Sequence, residues 1–63
     1  MNTEILFEVL NNGKVIYETD TSEIIEYQTF WYRYSCKKGM ITFQEVTSYW
    51  NIEKQEYVYS TNY

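Results

Sequence analysis

Along the first third of the chain, Glu4 to Thr19, apolar and polar residues alternate on both sides of Asn11-Asn12-Gly13, a pattern that predicts a β-hairpin. Two registers fit. A loop of Asn12-Gly13 alone sets Leu10 opposite Val15 and mixes charge with apolar residues on both faces. A three-residue loop with Gly13 in the left-handed conformation gathers Ile5, Phe7, Val9, Val15 and Tyr17 on one face, and this register is preferred because burial of one face fixes pairing. The opposite face then carries Glu4, Leu6, Glu8, Leu10, Lys14, Ile16 and Glu18.

The next segment predicts a helix from about Thr21 to Lys37. Asp20 stands at an N-cap position with Glu23 three residues on, Arg33, Lys37 and Lys38 lie toward the negative end, and Gly39 follows where helices stop. Ile24, Tyr27, Trp31 and Tyr34 form one apolar stripe with Phe30 at its flank; Ile25, Tyr32 and Cys36 form a second. One stripe can cover the hairpin, and the other requires the C-terminal strands or a second copy of the chain.

From Met40 onward two templates fit. Met40-Ile41-Thr42-Phe43, Val46 to Ile52 and Tyr57-Val58-Tyr59 are rich in strand formers. Thr42-Phe43-Gln44-Glu45 instead reads as a capping box that starts a short helix through Trp50. With strands preferred, a turn near Glu53-Lys54-Gln55-Glu56 pairs Ile52 with Tyr57 and Trp50 with Tyr59. The expected fold class is α+β: a small β-β-α-β-β domain whose antiparallel sheet carries one helix on a face.

Size sharpens the picture. With 63 residues the chain makes one domain, residues 1–63, and encloses only a small core. Small domains compensate with disulfides, metals or self-association. One cysteine, Cys36, and no histidine exclude an internal disulfide and the usual zinc frameworks. Self-association is left, and the aromatic content of 21% exceeds what so small a core can hold. A homodimer is therefore expected, with Ile25, Trp31, Tyr32, Tyr34, Trp50, Tyr57 and Tyr59 as its contact residues.

Charge and motifs narrow the function. A net charge of −4 with five basic residues argues against direct nucleic-acid binding. No apolar run approaches a membrane span and Met1-Asn2-Thr3-Glu4 carries no basic region, so no membrane association and a cytoplasmic location are expected. Residues Lys38 to Val46 imitate half of a calcium loop, but Tyr34, Cys36 and Lys38 occupy the positions that should supply oxygen ligands. Cys36 has no histidine to activate it. Neither a catalytic residue, a metal nor a cofactor is expected, and the chain reads as a non-enzyme.

The acidic-aliphatic group Glu4, Leu6, Glu8, Leu10, Ile16 and Glu18 is the candidate partner-binding patch. Absence of Ala and Pro and scarcity of Gly and Arg indicate an AT-rich genome, such as that of a low-GC bacterium or its phage. In size, acidity and hairpin-plus-helix plan the chain looks like small phage proteins that occlude a host enzyme or immune complex, among them anti-CRISPR proteins and inhibitors of uracil-DNA glycosylase. That likeness implies an anti-defence inhibitor whose partner is a host protein or immune complex. Two alternatives stand beside it: a DNA mimic, and a structural or antitoxin-like subunit.

Overall fold

The computed structural model describes residues 3–61, and its chain runs α1 (Thr3–Asn12), β1 (Lys14–Glu18), β2 (Glu23–Tyr27), β3 (Phe30–Lys37), β4 (Met40–Val46), β5 (Ser48–Asn51) and β6 (Glu56–Tyr59). Strands β1 to β4 form an antiparallel sheet in sequence order; β5 and β6 form a separate two-stranded ribbon. The α+β class holds, with a different element order from the expected β-β-α-β-β.

The first difference is that Thr3–Asn12 is helical, so the hairpin expected over Glu4 to Thr19 does not form. Leu6 and Val9, three residues apart, both fall on the buried side of α1, a spacing the alternating reading assigned to opposite faces. Asn11-Asn12-Gly13 ends this helix instead of turning a hairpin: Gly13 N–H donates to the Val9 carbonyl at 2.8 Å. Gly13 does not take the left-handed conformation expected of it. What it provides is close approach, because a Cβ there would collide with the Ile25 side chain and lie 2.5 Å from the Val9 carbonyl oxygen.

A second difference is that the helix expected from Thr21 to Lys37 is a pair of strands, β2 and β3. Its Ile, Tyr, Phe and Trp content suits a pleated sheet, and tertiary pairing outweighed the end signals. Those signals serve turns. Lys38 and Gly39 have φ of 53° and 77°, the two positive angles of a type I′ hairpin, and Gln28 has φ 60° in the β2–β3 turn. Asp20 lies in the β1–β2 loop, where the Thr19 hydroxyl accepts from the Thr21 and Ser22 N–H groups at 3.3 and 3.2 Å.

The first apolar stripe of that imagined helix divides between the faces of a sheet covered on both sides: Ile24 and Trp31 lie on one, and Tyr27 and Tyr34 on the other with Ile25, Tyr32 and Cys36. Ile25 points toward α1, and its strand neighbour Ile24 points the other way with Trp31. Leu6, Val9, Ile24, Ile25 and Trp31 are the buried apolar residues. A bulge in β1 joins the two layers: Val15 pairs with Ile25 but Tyr17 pairs with Ile24, so one extra residue turns Tyr17 to the face opposite Val15.

Beyond Met40 the strand template holds and the capping-box helix does not form. The ribbon register is shifted two residues from expectation: Trp50 pairs with Tyr57 and Ser48 with Tyr59. Ile52 belongs to the turn, because the Asn51 side-chain oxygen takes the Lys54 N–H at 3.0 Å and starts the reversal there.

Gly13→Ala is expected to lower the unfolding free energy by about 1–3 kcal/mol, as overpacking against backbone does. Urea titration measures it, and an unchanged midpoint would show that α1 is not seated on β2.

Candidate protein-interaction surface

Residues 47–61 build the surface. Side chains alternate across the β5–β6 ribbon, so Tyr49, Asn51 and Val58 face the large sheet while Ser48, Trp50, Tyr57 and Tyr59 face away. Asn51 is buried and Tyr49 and Val58 are half-buried. The inner side is anchored by Tyr49, whose ring stacks on Tyr17 at 4.9 Å and meets Trp31 at 5.4 Å. The Tyr17 hydroxyl accepts from the Ile52 N–H at 3.0 Å, and Ser60 N–H donates to the Thr47 carbonyl at 2.8 Å. The Trp31 indole N–H donates to the Glu26 carboxylate at 3.3 Å, which fixes the tryptophan from its other side.

The outer side is an aromatic platform. Trp50, Tyr57 and Tyr59 are 47%, 57% and 65% exposed. The rings hold one another: Trp50 meets Tyr57 edge-on at 5.1 Å and Tyr57 meets Tyr59 at 6.2 Å. Ordered rings with apolar faces and polar rims are well suited to protein contact, since little rotamer freedom is left to lose on binding.

The residues expected to bind a partner do not form one face. Glu4, Leu6, Glu8 and Leu10 sit on α1, where Leu6 is buried in the core. Glu8 accepts from the Tyr27 hydroxyl at 3.0 Å and from the Asn12 amide at 3.2 Å. Ile16 is the extra residue of the β1 bulge and Glu18 ends that strand. The expected self-association residues divide in the same way. Ile25 and Trp31 are 3% and 8% exposed inside the core of one chain. Tyr32 and Tyr34 are half-buried on the α1 side of the sheet, with Tyr32 stacked on Phe43 at 5.2 Å. Only Trp50, Tyr57 and Tyr59 come together as an exposed group. Ile52, expected to pair with Tyr57, leaves the ladder for the turn and lines a cleft with Tyr17 and Tyr49.

Other concave features are open to solvent, among them a mainly apolar one of ≈ 370 Å³ beside Ser35, Lys37, Met40 and Thr42. A cleft of ≈ 360 Å³ lies between the β1–β2 loop, Arg33, Tyr49 and Ile52. Among the described residues no cluster of three or more Cys, Asp or Glu side chains could hold a metal ion, and no helix is long and apolar enough to cross a membrane. Compared with known protein families, with curated proteins and with solved structures, the chain finds no match in any of the three.

Three tyrosines titrate above their ordinary value of 10.0. For Tyr27 the hydrogen bond to Glu8 is the main cause, since a phenolate there would face a carboxylate. Burial raises Tyr32, helped by the Glu45 charge, and burial followed by the neighbouring Cys36 raises Tyr34. A folded pKa above the unfolded one gives stability that is complete below the unfolded value and is lost as pH rises through the folded value. Fold stability should therefore decline above about pH 10. Tyr27→Phe should make that decline shallower in urea unfolding midpoints taken between neutral and strongly alkaline pH; an identical slope would remove the Glu8 contact as a cause.

Proposed function

We propose that this chain is a non-enzymatic binding module that seats the Trp50, Tyr57 and Tyr59 face of its ribbon against a protein. The observation that carries the reading is the platform itself: three adjacent, mutually ordered rings, all on the solvent side of a ribbon whose inner side is anchored to the fold. Trp and Tyr are the types that dominate interface energetics, and pre-ordering lowers the entropy lost on association. The net charge of −4 favours a partner with a basic rim and mainly assists encounter.

The role that fits is inhibition of a host protein by occlusion, as an anti-defence factor of a phage or mobile element would act. Support for that finer role comes from composition and size: codon-biased residue usage and a short acidic chain. The acidic residues expected on one strand face are divided, with Glu4 and Glu8 on α1 and Glu18 on β1.

The test uses immobilised wild-type chain and the Trp50→Ala/Tyr57→Ala double variant against a lysate of a low-GC bacterium. A protein held by the wild type should be released by the variant, and its purified form should bind the variant at least about 30-fold more weakly, as loss of a hot-spot ring implies. Its own activity should fall when wild-type chain is added. Equal affinity for both chains would move the interface away from the ribbon.

A further inference from the structure

Both outer edges of the four-stranded sheet lack a strand partner among the described residues, and they are built differently. β1 is blunted: it has five residues, a bulge at its middle, and Lys14 and Glu18 at its ends. These are devices that keep an edge from recruiting another strand. β4 is longer and has no bulge. It has seven residues, keeps one register against β3 throughout, contains no proline and carries a single charge, Glu45. The covering elements also stop short of it. α1 seats on β2 and the ribbon packs on Tyr17 and Trp31, so Met40 and Ile41, which point to opposite faces of β4, are both exposed.

We propose that β4 pairs antiparallel with the β4 of a second copy, about a twofold axis through Phe43. The residues flanking a two-residue hairpin loop, here Lys37 and Met40, exchange hydrogen bonds, and the pattern then alternates. Met40, Thr42 and Gln44 thus turn their backbone groups toward β3, while Ile41 and Phe43 turn theirs to the open edge. Pairing all seven residues sets Met40 opposite the second copy's Val46, Thr42 opposite its Gln44, Ile41 opposite its Glu45, and Phe43 opposite itself. No like charges meet, apolar Met40 finds apolar Val46, and the outward backbone groups coincide. Because Tyr32 stacks on Phe43 with an interplanar angle of 4°, the axis generates a row of four rings across the joined sheet.

Surface area points to a second copy of this chain. The protein exposes 4876 Å², where a compact monomer of 7.7 kDa exposes about 4,300 Å². That excess is a large part of the roughly 800 Å² each partner buries in a standard interface. The Cα radius of gyration, 11.6 Å, likewise exceeds the about 10.6 Å of a compact chain of this length, and the molecule is a slab of 31 × 29 × 17 Å. Joining slabs edge to edge buries the uncovered strand and leaves the Trp50 face of each ribbon open, so this association is independent of partner binding.

The experiment is light scattering on the full chain across a concentration series spanning the micromolar range, with circular dichroism to confirm folding of each variant. Wild type should have twice the 7.7 kDa chain mass. Ile41→Glu puts a like charge opposite Glu45 at two symmetric places and should raise the dimer dissociation constant about tenfold or more. Ile41→Lys puts an opposite charge there and should keep or tighten the dimer, with a dependence on salt that wild type lacks. Ile41→Pro, which removes an edge-facing N–H, should give monomers. A wild-type monomer throughout the series overturns the proposal, and so does a dimer that responds alike to Ile41→Glu and Ile41→Lys. A monomer whose partner binding is lost in Ile41→Pro would assign β4 to a foreign strand, which also overturns it.

Discussion

The fold depends on burying Ile24 and Ile25 on opposite faces of one strand. Two adjacent apolar residues in a strand require a cover on each side, and a sheet of four strands with one helix supplies only one. The chain solves this with α1 over Ile25 and the β5–β6 ribbon over Ile24. Every unusual feature follows from that need: the glycine that lets α1 reach β2, the bulge that turns Tyr17 over, and the ribbon that leaves the main sheet to cross its back.

That solution determines what is left exposed. A ribbon that uses Tyr49 and Asn51 to face inward must present the intervening residues outward, and here those are aromatic. The platform is therefore a by-product of the register that anchors the ribbon, and its rings keep fixed relative positions. Coverage of both faces is concentrated over β2 and its neighbours, so the far strand of the sheet is left bare.

The C-terminal half was legible as strands because Met40 to Tyr59 is rich in β-branched and aromatic residues, which outweighed the capping-box pattern at Thr42. The N-terminal half misled in both directions. Ile5-Leu6 and Val9-Leu10 satisfy a helix and an alternating strand equally, and burial of Leu6 with Val9 decides only once β2 lies beneath them. Asp20, Lys38 and Gly39 are residues that end helices and also form turns, so the segment between them read as one helix when it is two strands. The aromatic triad was visible as a group, since the expected and observed registers, two residues apart, both set Trp50, Tyr57 and Tyr59 on one face of the ribbon; which face the main sheet covers came only with Tyr17 and Trp31 beneath Tyr49.

The β1 bulge places a constraint on which face each residue of this strand may present. Surface strands often accept single-residue insertions and deletions at modest cost, because the register adjusts at a nearby loop. Here Ile16, unpaired at the bulge, keeps Tyr17 on the face opposite Val15, and a ladder that took Ile16 in as a paired residue would return Tyr17 to the side of Val15. The damage would be felt remotely, in the ribbon that has lost the ring beneath Tyr49 and the hydroxyl that holds the Ile52 amide. Removing Ile16 itself would leave Val15 and Tyr17 adjacent and still on opposite faces, so the distant surface depends on the phase of β1 rather than on its residue count.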